Sequence, residues 1–342
     1  MTTACDITLF APGLLGPQPQ LRQLPRGEQA DLICLETLLS RAACVASPVT
    51  DSLHGLMRLF GVSVETDMDP PVAALGARYD GLEATTGWWL RADPVWLQPD
   101  RDQLVLGAAG ALQLTGDAAQ QLASSLNEHF AADGLRLFTP HPHRWYLHQA
   151  NAARIRTTPL DDLWGQNIHA CLPSGKDAAE WRRLLNETQM LLHDHPVNRQ
   201  REIEGCAPVS SLWFWGGGYL PTAGEACWDR VYADEFLFQA LADWQGIPCR
   251  SWPAQSPDLT GRCLIGTQQC LEPVRKRDLF AWQDCLGQLQ TEVLAPLQSL
   301  LAQRQCRTLT LLPADGRAFR ATPSGLRRFW RRRKPLVRWL AA

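Results

Sequence analysis

Short apolar runs, each closed by Gly, Pro or a polar turn, alternate with longer stretches whose apolar residues recur at helical spacing. This alternation constrains the fold more than any single residue. Ile7 to Phe10 reads as a buried strand stopped by Ala11-Pro12-Gly13, and Leu32, Leu35, Leu38, Leu39 and Ala42 then share one helical face. The succession returns late in the chain. Val209 to Trp215 reads as a strand, Asp229 to Trp244 as a helical stretch, Cys263 to Ile265 as a strand, Arg277 to Arg304 as a long helix and Thr308 to Leu312 as a strand. Strands that alternate with helices predict an α/β fold, a mainly parallel sheet covered by helices.

The middle of the chain follows another pattern. A helix from Asp51 to Phe60 stops at Gly61, and a loop containing Pro and Gly carries the chain to Gly87. Beyond it lie short β-type runs at Trp88 to Leu90, Val95 to Leu97, Leu104 to Leu106, Leu135 to Phe138 and Trp145 to Leu147, with one helix between them, Asp117 to Ala131. This predicts a small α+β region at 85–150 set into an α/β core formed by 1–84 and 151–342. A chain of 342 residues, 45% apolar, exceeds the usual size of one hydrophobic core, which suits such a division. There is no run of about eighteen apolar residues, and the opening MTTACDITLFAPG lacks the basic and apolar parts of a secretory signal, so a cytoplasmic protein is expected. Eleven cysteines with no C-x-x-C pair suit a reducing compartment, where they act as small buried hydrophobes and not as zinc ligands.

Chemistry concentrates between Lys176 and Gly218. Ser174 and Asp177 can cap a helix whose apolar stripe is Trp181, Leu184, Leu185, Leu191 and Leu192, and which Pro196 must break. Beside that stripe run Arg182, Asn186, Gln189 and His193, projecting from one side. Amides supply donors and acceptors, while Arg and His supply charge-assisted bonds, so the stripe could hold a phosphate or carboxylate; the same side chains also suit bonds to loop backbone. Next come His195-Pro196-Val197-Asn198, Arg201, Gly205 and a strand bearing Trp213 and Trp215 that ends in Gly216-Gly217-Gly218. In a parallel sheet, ligands bind at the carboxyl ends of strands, and glycines there let backbone N–H groups approach an anion; a tight turn explains three glycines equally well. The candidate ligand-binding set is therefore Arg182, Asn186, Gln189, His193, His195, Asn198, Arg201, Gly216, Gly217 and Gly218.

The string HPVN, Arg, Gly and then W-x-WG-x-G, carried by His195 to Asn198, Arg201, Gly205, Trp213, Trp215, Gly216 and Gly218, resembles a signature of the archaeal-type cofactor-independent phosphoglycerate mutases of the alkaline-phosphatase superfamily. Nearly the whole chain is similar to RpfE-type bacterial proteins, through LRADPVWLQPDRDQLVL, LNEHFAADGLRLFTPHPHRWYL, TTPLDDLWGQNI, LPSGKDAAEWRRLLNETQMLLHDHPVNR and FWRRRKPL. That family is named for regulation of pathogenicity factors. The resemblance implies a reduced alkaline-phosphatase-like core. It departs from the mutases at Pro208-Val209-Ser210, where they tend to have Pro-Ala-Asn.

The mutase resemblance further implies two divalent metals and a serine nucleophile, held by an Asp-Gly pair after the first strand and by late Asp and His motifs. This sequence has Pro12-Gly13 at the first place, with Asp6 ahead of the strand. At the second it has CLIGTQQCLEPVRKRD, whose carboxylates are Glu272 and Asp278, and no histidine follows His195. A two-metal clamp needs hard oxygen ligands and, usually, imidazole. His141-Pro142-His143 is more in keeping with a loop than a ligand pair, and no catalytic residue is assigned. The expectation is a catalytically reduced relative without metal or cofactor, which binds an anionic, phosphorylated metabolite or a protein partner in a regulatory role. The alternative is an active mutase interconverting 3- and 2-phosphoglycerate.

From Arg317 onward there are eight arginines, one lysine and no acidic residue, in GLRRFWRRRKPLVRWLAA and just before it. A packed terminal helix with a solvated basic face explains this pattern. Contact with an anion, a partner, nucleic acid or an anionic membrane is the other reading.

Overall fold

The computed structural model describes residues 5–16, 32–65, 67–100, 103–107, 111–164, 166–252 and 259–340. The chain opens with strand β1 (Cys5–Phe10), helix α1 (Ile33–Arg41), strand β2 (Ala43–Ala46) and helix α2 (Ser52–Leu59). A middle stretch carries α3 (Val72–Tyr79), β3 (Trp88–Val95), β4 (Leu97–Asp100), β5 (Gln103–Leu106), α4 (Gly116–Phe130), β6 (Arg136–His141), β7 (Arg144–Gln149), the short pair β8 (Ile155–Arg156) and β9 (Ser174–Gly175), α5 (Ala178–His193), α6 (Pro196–Ile203) and β10 (Ser211–Gly218). It continues with β11 (Arg230–Tyr232), α7 (Phe236–Trp244), β12 (Cys249–Arg250), β13 (Arg262–Gly266), α8 (Leu271–Lys276), α9 (Leu279–Leu289), α10 (Ala295–Ala302), β14 (Cys306–Leu312), β15 (Arg317–Ala321) and α11 (Pro323–Leu326). Two compact units result, 1–63 with 223–342, and 64–222.

In the first unit, seven strands form one sheet in the order β12-β11-β13-β1-β14-β15-β2. The five from β12 to β14 are parallel and the last two antiparallel. β1 lies between β13 and β14, with Leu9 beside Ile265 and Leu311. Its alternate residues Cys5, Ile7 and Leu9 pack with Leu35, Leu38 and Leu39 of α1, Trp282 and Leu286 of α9, and Leu297 and Leu301 of α10. This is the expected α/β fold with a mainly parallel sheet.

Three elements differ from the expectation. Asp229 to Trp244 divides into β11 and α7, because a three-residue strand is too short to show a period. The long helix expected at Arg277 to Arg304 is interrupted at its start: Arg277 takes a φ of +55°, Asp278 caps α9 by accepting the Ala281 N–H at 3.0 Å, and a π-helical turn at Gln290–Leu294 leads into α10. Among the described residues, no terminal helix carries the basic residues; α11 has four residues, and beyond it comes a 3₁₀ turn at Leu336–Arg338.

The second unit is built on an antiparallel sheet, β10-β3-β7-β6. One face, with Trp88, Leu90, Trp145, Leu147, Leu212 and Phe214, packs on α4 and α5 through Leu122, Leu126, Trp181 and Leu185. The other face puts Trp89 and Tyr146 against Ala73, Ala74 and Ala77 of α3. Both faces of β3 are covered and every residue in it is buried. The units divide at 63/64 and 222/223. α3, α5, α6 and β10 thus lie with β3 to β7, apart from the parallel sheet.

α3 falls within the segment read as a loop. All six residues from Val72 to Ala77 are buried, so no polar face marks the helix in the sequence. β10 overturns a larger premise: it was expected in the parallel sheet, but it pairs antiparallel with β3, Trp213 opposite Asp93 and Trp215 opposite Arg91. The rule about carboxyl ends of parallel strands does not apply to its glycines.

Candidate functional site

α5 buries Trp181, Leu184, Leu185, Thr188 and Leu192, while Leu191 stays 39% exposed and leaves the apolar stripe. Asp177 stands at its N-cap position, yet its carboxylate takes the Arg154 N–H at 2.7 Å and the Arg154 guanidinium at 2.8 Å, and no side chain caps the helix. Ser174 lies in β9. Of the polar stripe, Arg182 turns away and donates from Nε to the Pro173 carbonyl at 3.0 Å. Asn186, Gln189 and His193 line one groove of about 710 Å³, with Leu97, Met190, Glu202 and Ser210 among its walls. Gln189 Nε2 donates to Ser211 Oγ at 3.4 Å.

The segment after α5 is used by the fold. His195 caps α6, with Nδ1 accepting the Val197 N–H at 3.2 Å and Nε2 3.0 Å from Ser125 Oγ, and burial holds its imidazole below the ordinary value. Pro196 occupies the first turn of α6, where a missing N–H costs nothing. Asn198 is 2% exposed; it donates to the carbonyls of Leu192 and Val209 at 2.7 and 2.8 Å and accepts the Val209 N–H at 2.9 Å. Arg201 donates to the Ala207 carbonyl at 2.7 and 3.0 Å and also to the Leu112 carbonyl. These bonds pin the α6–β10 connection onto the sheet. Asn198 touches the groove wall, whereas His195 and Arg201 do not line it.

The glycine run is a packing device. A Cβ on Gly216 would meet Val72 Cβ at 3.0 Å, one on Gly217 would meet Trp88 Cζ2 at 2.2 Å, and one on Gly218 would meet Pro71 Cβ at 2.6 Å. Absent side chains let β10 lie against the start of α3 on one face and Trp88 on the other. The Gly216 N–H already donates to Thr157 Oγ1 at 3.1 Å.

The described residues do not fit the two metals that the mutase resemblance implies. Among the described residues, no three His, Cys, Asp or Glu side chains gather as a metal would require. Asp6 is engaged by Arg307 and by the Thr308 hydroxyl at 2.5 Å, which hold its carboxyl below the usual range. Glu272 pairs with Lys276 at 2.5 Å, and Asp278 caps α9. After β1, Pro12, which carries no ligand atom in its side chain, stands where the pair's Asp would be, and Gly13 has a φ of +80° with the Cys270 carbonyl 2.8 Å from where a Cβ would lie. His141 Nδ1 accepts the His143 N–H at 3.1 Å. Burial and the Arg144 charge depress the His141 imidazole.

Two features escape a reading of the sequence. Arg91 and Asp93, two apart on β3 and therefore on one face, form a buried pair at 2.6 Å; Trp215 Nε1 donates to Asp93 at 2.7 Å, and the guanidinium lies 5.2 Å and 5.3 Å from the rings of Tyr146 and Trp215. The R-x-D spacing within LRADP was the available signal. Glu235, after β11, accepts the Gln268 N–H at 2.5 Å, and burial pushes its carboxyl above the usual range.

The family model for 2,3-bisphosphoglycerate-independent phosphoglycerate mutase matches residues 52–198. The chain is 32% identical over 110 residues to the 2,3-bisphosphoglycerate-independent phosphoglycerate mutase of Methanosarcina mazei, covering 32% of this chain and 28% of that one. It is 29% identical over 132 residues to the probable enzyme of that name in Geobacter sulfurreducens, covering 38% and 33%. The matches thus span a third or less of these curated relatives' length. Among solved structures, the PH0037 protein of Pyrococcus horikoshii shares the fold with a TM-score of 0.55 at 13% identity, over 94% of this chain and 88% of that one. Over 52–198, a range that takes in most of the antiparallel unit, the chain is distantly similar to the cofactor-independent phosphoglycerate mutases.

Proposed function

We propose that the chain is a regulatory binding protein of the RpfE type, built on a phosphoglycerate-mutase-like frame whose phosphoryl-transfer apparatus is reduced, and that a polypeptide partner enters its α5–α6 groove. The observation that carries this reading is how the mutase-like segment is used: Asn198, Arg201 and Gly216 to Gly218 serve packing, while Asn186, Gln189 and His193 face open space. Among the described residues, no Lys or Arg lines the groove. The carboxylates Glu202 and Asp194, the latter paired with Arg199 at 3.4 Å, stand in its described lining beside His193, which is a poor setting for a phosphate dianion. Amides able to bond peptide groups and Met190, 75% exposed, suit an extended chain with apolar side chains.

Hydrogen exchange of the purified chain, with a partner first isolated on it and then added back pure, tests the proposal. Slowed exchange is expected at 186–194 and 97–106, and Met190→Glu is expected to abolish it. Slowing confined to other segments removes the groove from the account. A rise in melting temperature with 3-phosphoglycerate that disappears in His193→Ala returns a metabolite to the site. An active mutase is the second reading, favoured by the family match over 52–198.

A further inference from the structure

After α11 the chain enters Arg327 to Lys334, in which six of eight residues are basic and the other two are Phe329 and Trp330. Both ends are anchored, Leu326 and Leu336 lying in the core of the unit formed by 1–63 and 223–342. Between these anchors, the Arg328 N–H bonds the Gly325 carbonyl at 3.1 Å and the Arg331 N–H bonds the Arg328 carbonyl at 2.9 Å. The Lys334 N–H meets Ser40 Oγ at 2.9 Å, and Glu36 accepts the Leu336 N–H at 2.7 Å. The loop is therefore a held turn and not a loose strand of charge.

Its side chains face outward. Phe329 is 80% exposed and Trp330 67%, edge to face with centroids 5.4 Å apart. Arg333 pairs with Glu36 at 3.4 Å, and Arg331 donates to the Ala42 carbonyl at 3.3 Å. Among the described residues, Arg327, Arg328 and Arg332 make no ion pair. Two adjacent large aromatics kept in water beside unneutralised guanidinium groups call for an occupant both anionic and able to take in apolar rings.

We propose that this loop docks the protein onto an anionic lipid bilayer, Phe329 and Trp330 entering the headgroup region while Arg327, Arg328 and Arg332 meet lipid phosphates. Trp favours the interface between headgroups and hydrocarbon, and basic residues beside it add attraction to anionic lipid. A nucleic acid is disfavoured by the ring geometry: single-strand binders offer aromatic faces spaced for successive bases, whereas here one ring's edge covers the face of the other.

Sedimentation of the full chain with vesicles tests this. Binding is expected to phosphatidylcholine vesicles containing about 30 mol% phosphatidylglycerol, to be weak without the anionic lipid, and to fall as salt rises. The double variant Phe329→Ser/Trp330→Ser and the double variant Arg327→Glu/Arg328→Glu should each lower vesicle affinity about tenfold or more while melting at the wild-type temperature. If one of these pairs alters folding, a quenched shift of Trp330 fluorescence by lipid-borne quenchers in the wild type, absent in Trp330→Phe, gives the same answer. Equal binding to neutral vesicles, no binding to either, or tight binding to a single-stranded oligonucleotide without binding to vesicles overturns the proposal.

Discussion

Asn198 bonds both backbone groups of Val209, accepting its N–H at 2.9 Å and donating to its carbonyl at 2.8 Å, and its other amide hydrogen reaches Leu192. One side chain thereby ties the end of α5 to the approach to β10. Asn198→Ala leaves these buried backbone groups unpaired and should lower the unfolding free energy by about 3 kcal/mol, measured by urea denaturation. Asn198→Asp keeps the acceptor but loses both donations, and should also destabilise. Wild-type stability in both variants contradicts this role.

Gly217 separates packing from anion binding. Trp88, which a Cβ at 217 would strike, is itself held edge-on against Trp181 at 5.9 Å, so it cannot give way freely. Gly217→Ala should cost about 1–3 kcal/mol, whereas Gly224→Ala, with nothing within 4 Å of the new carbon, should be close to neutral. Equal melting temperatures for the two variants would remove the packing explanation.

Asp93 is 2% exposed and holds Arg91, Trp215 and the Trp145 N–H, so its loss takes the closest carboxylate away from a buried guanidinium. Asp93→Ala should destabilise by about 3–5 kcal/mol, and adding Arg91→Leu should recover much of the loss, since a buried pair is costlier broken than replaced. A double variant no better than the single one speaks against the pairing as the cause.

His195 makes stability depend on pH. Its neutral form is the one that accepts the Val197 N–H, and burial depresses its native value below the ordinary 6.5. Below 6.5 the unfolded chain therefore takes up the proton before the native one does. Its contribution is present above that value and is lost as pH falls through the depressed native value. His141, depressed in the same direction, adds to the slope. His195→Asn, which keeps a capping residue, should flatten the fall in melting temperature between about pH 7 and about pH 5 without removing it. An unchanged slope would show that His195 does not titrate as its surroundings imply.

Where the sequence was legible, the reason was period. β1, α1, α2, α4 and β14 each show one covered face, and residues at two or 3.6 spacing report that directly. α3 was hidden because it is covered on every side. The sheet to which β10 belongs was hidden for another reason: a strand's own residues do not encode whether its partner runs parallel. The candidate site divides at the same point. Asn198, Arg201 and the three glycines are chemically apt for an anion, and only their neighbours reveal that Val209, Ala207, Val72, Trp88 and Pro71 already use them. Asn186, Gln189 and His193 do share one groove, because helical spacing alone places them on one side of α5.

The proposed function holds that a mutase-like frame here serves binding and not phosphoryl transfer. Incubating the purified chain with 3-phosphoglycerate and manganese, and following 2-phosphoglycerate by coupling to its dehydration, tests it most directly. The account predicts no conversion above a protein-free control. Turnover that scales with protein and disappears with a chelator would contradict it.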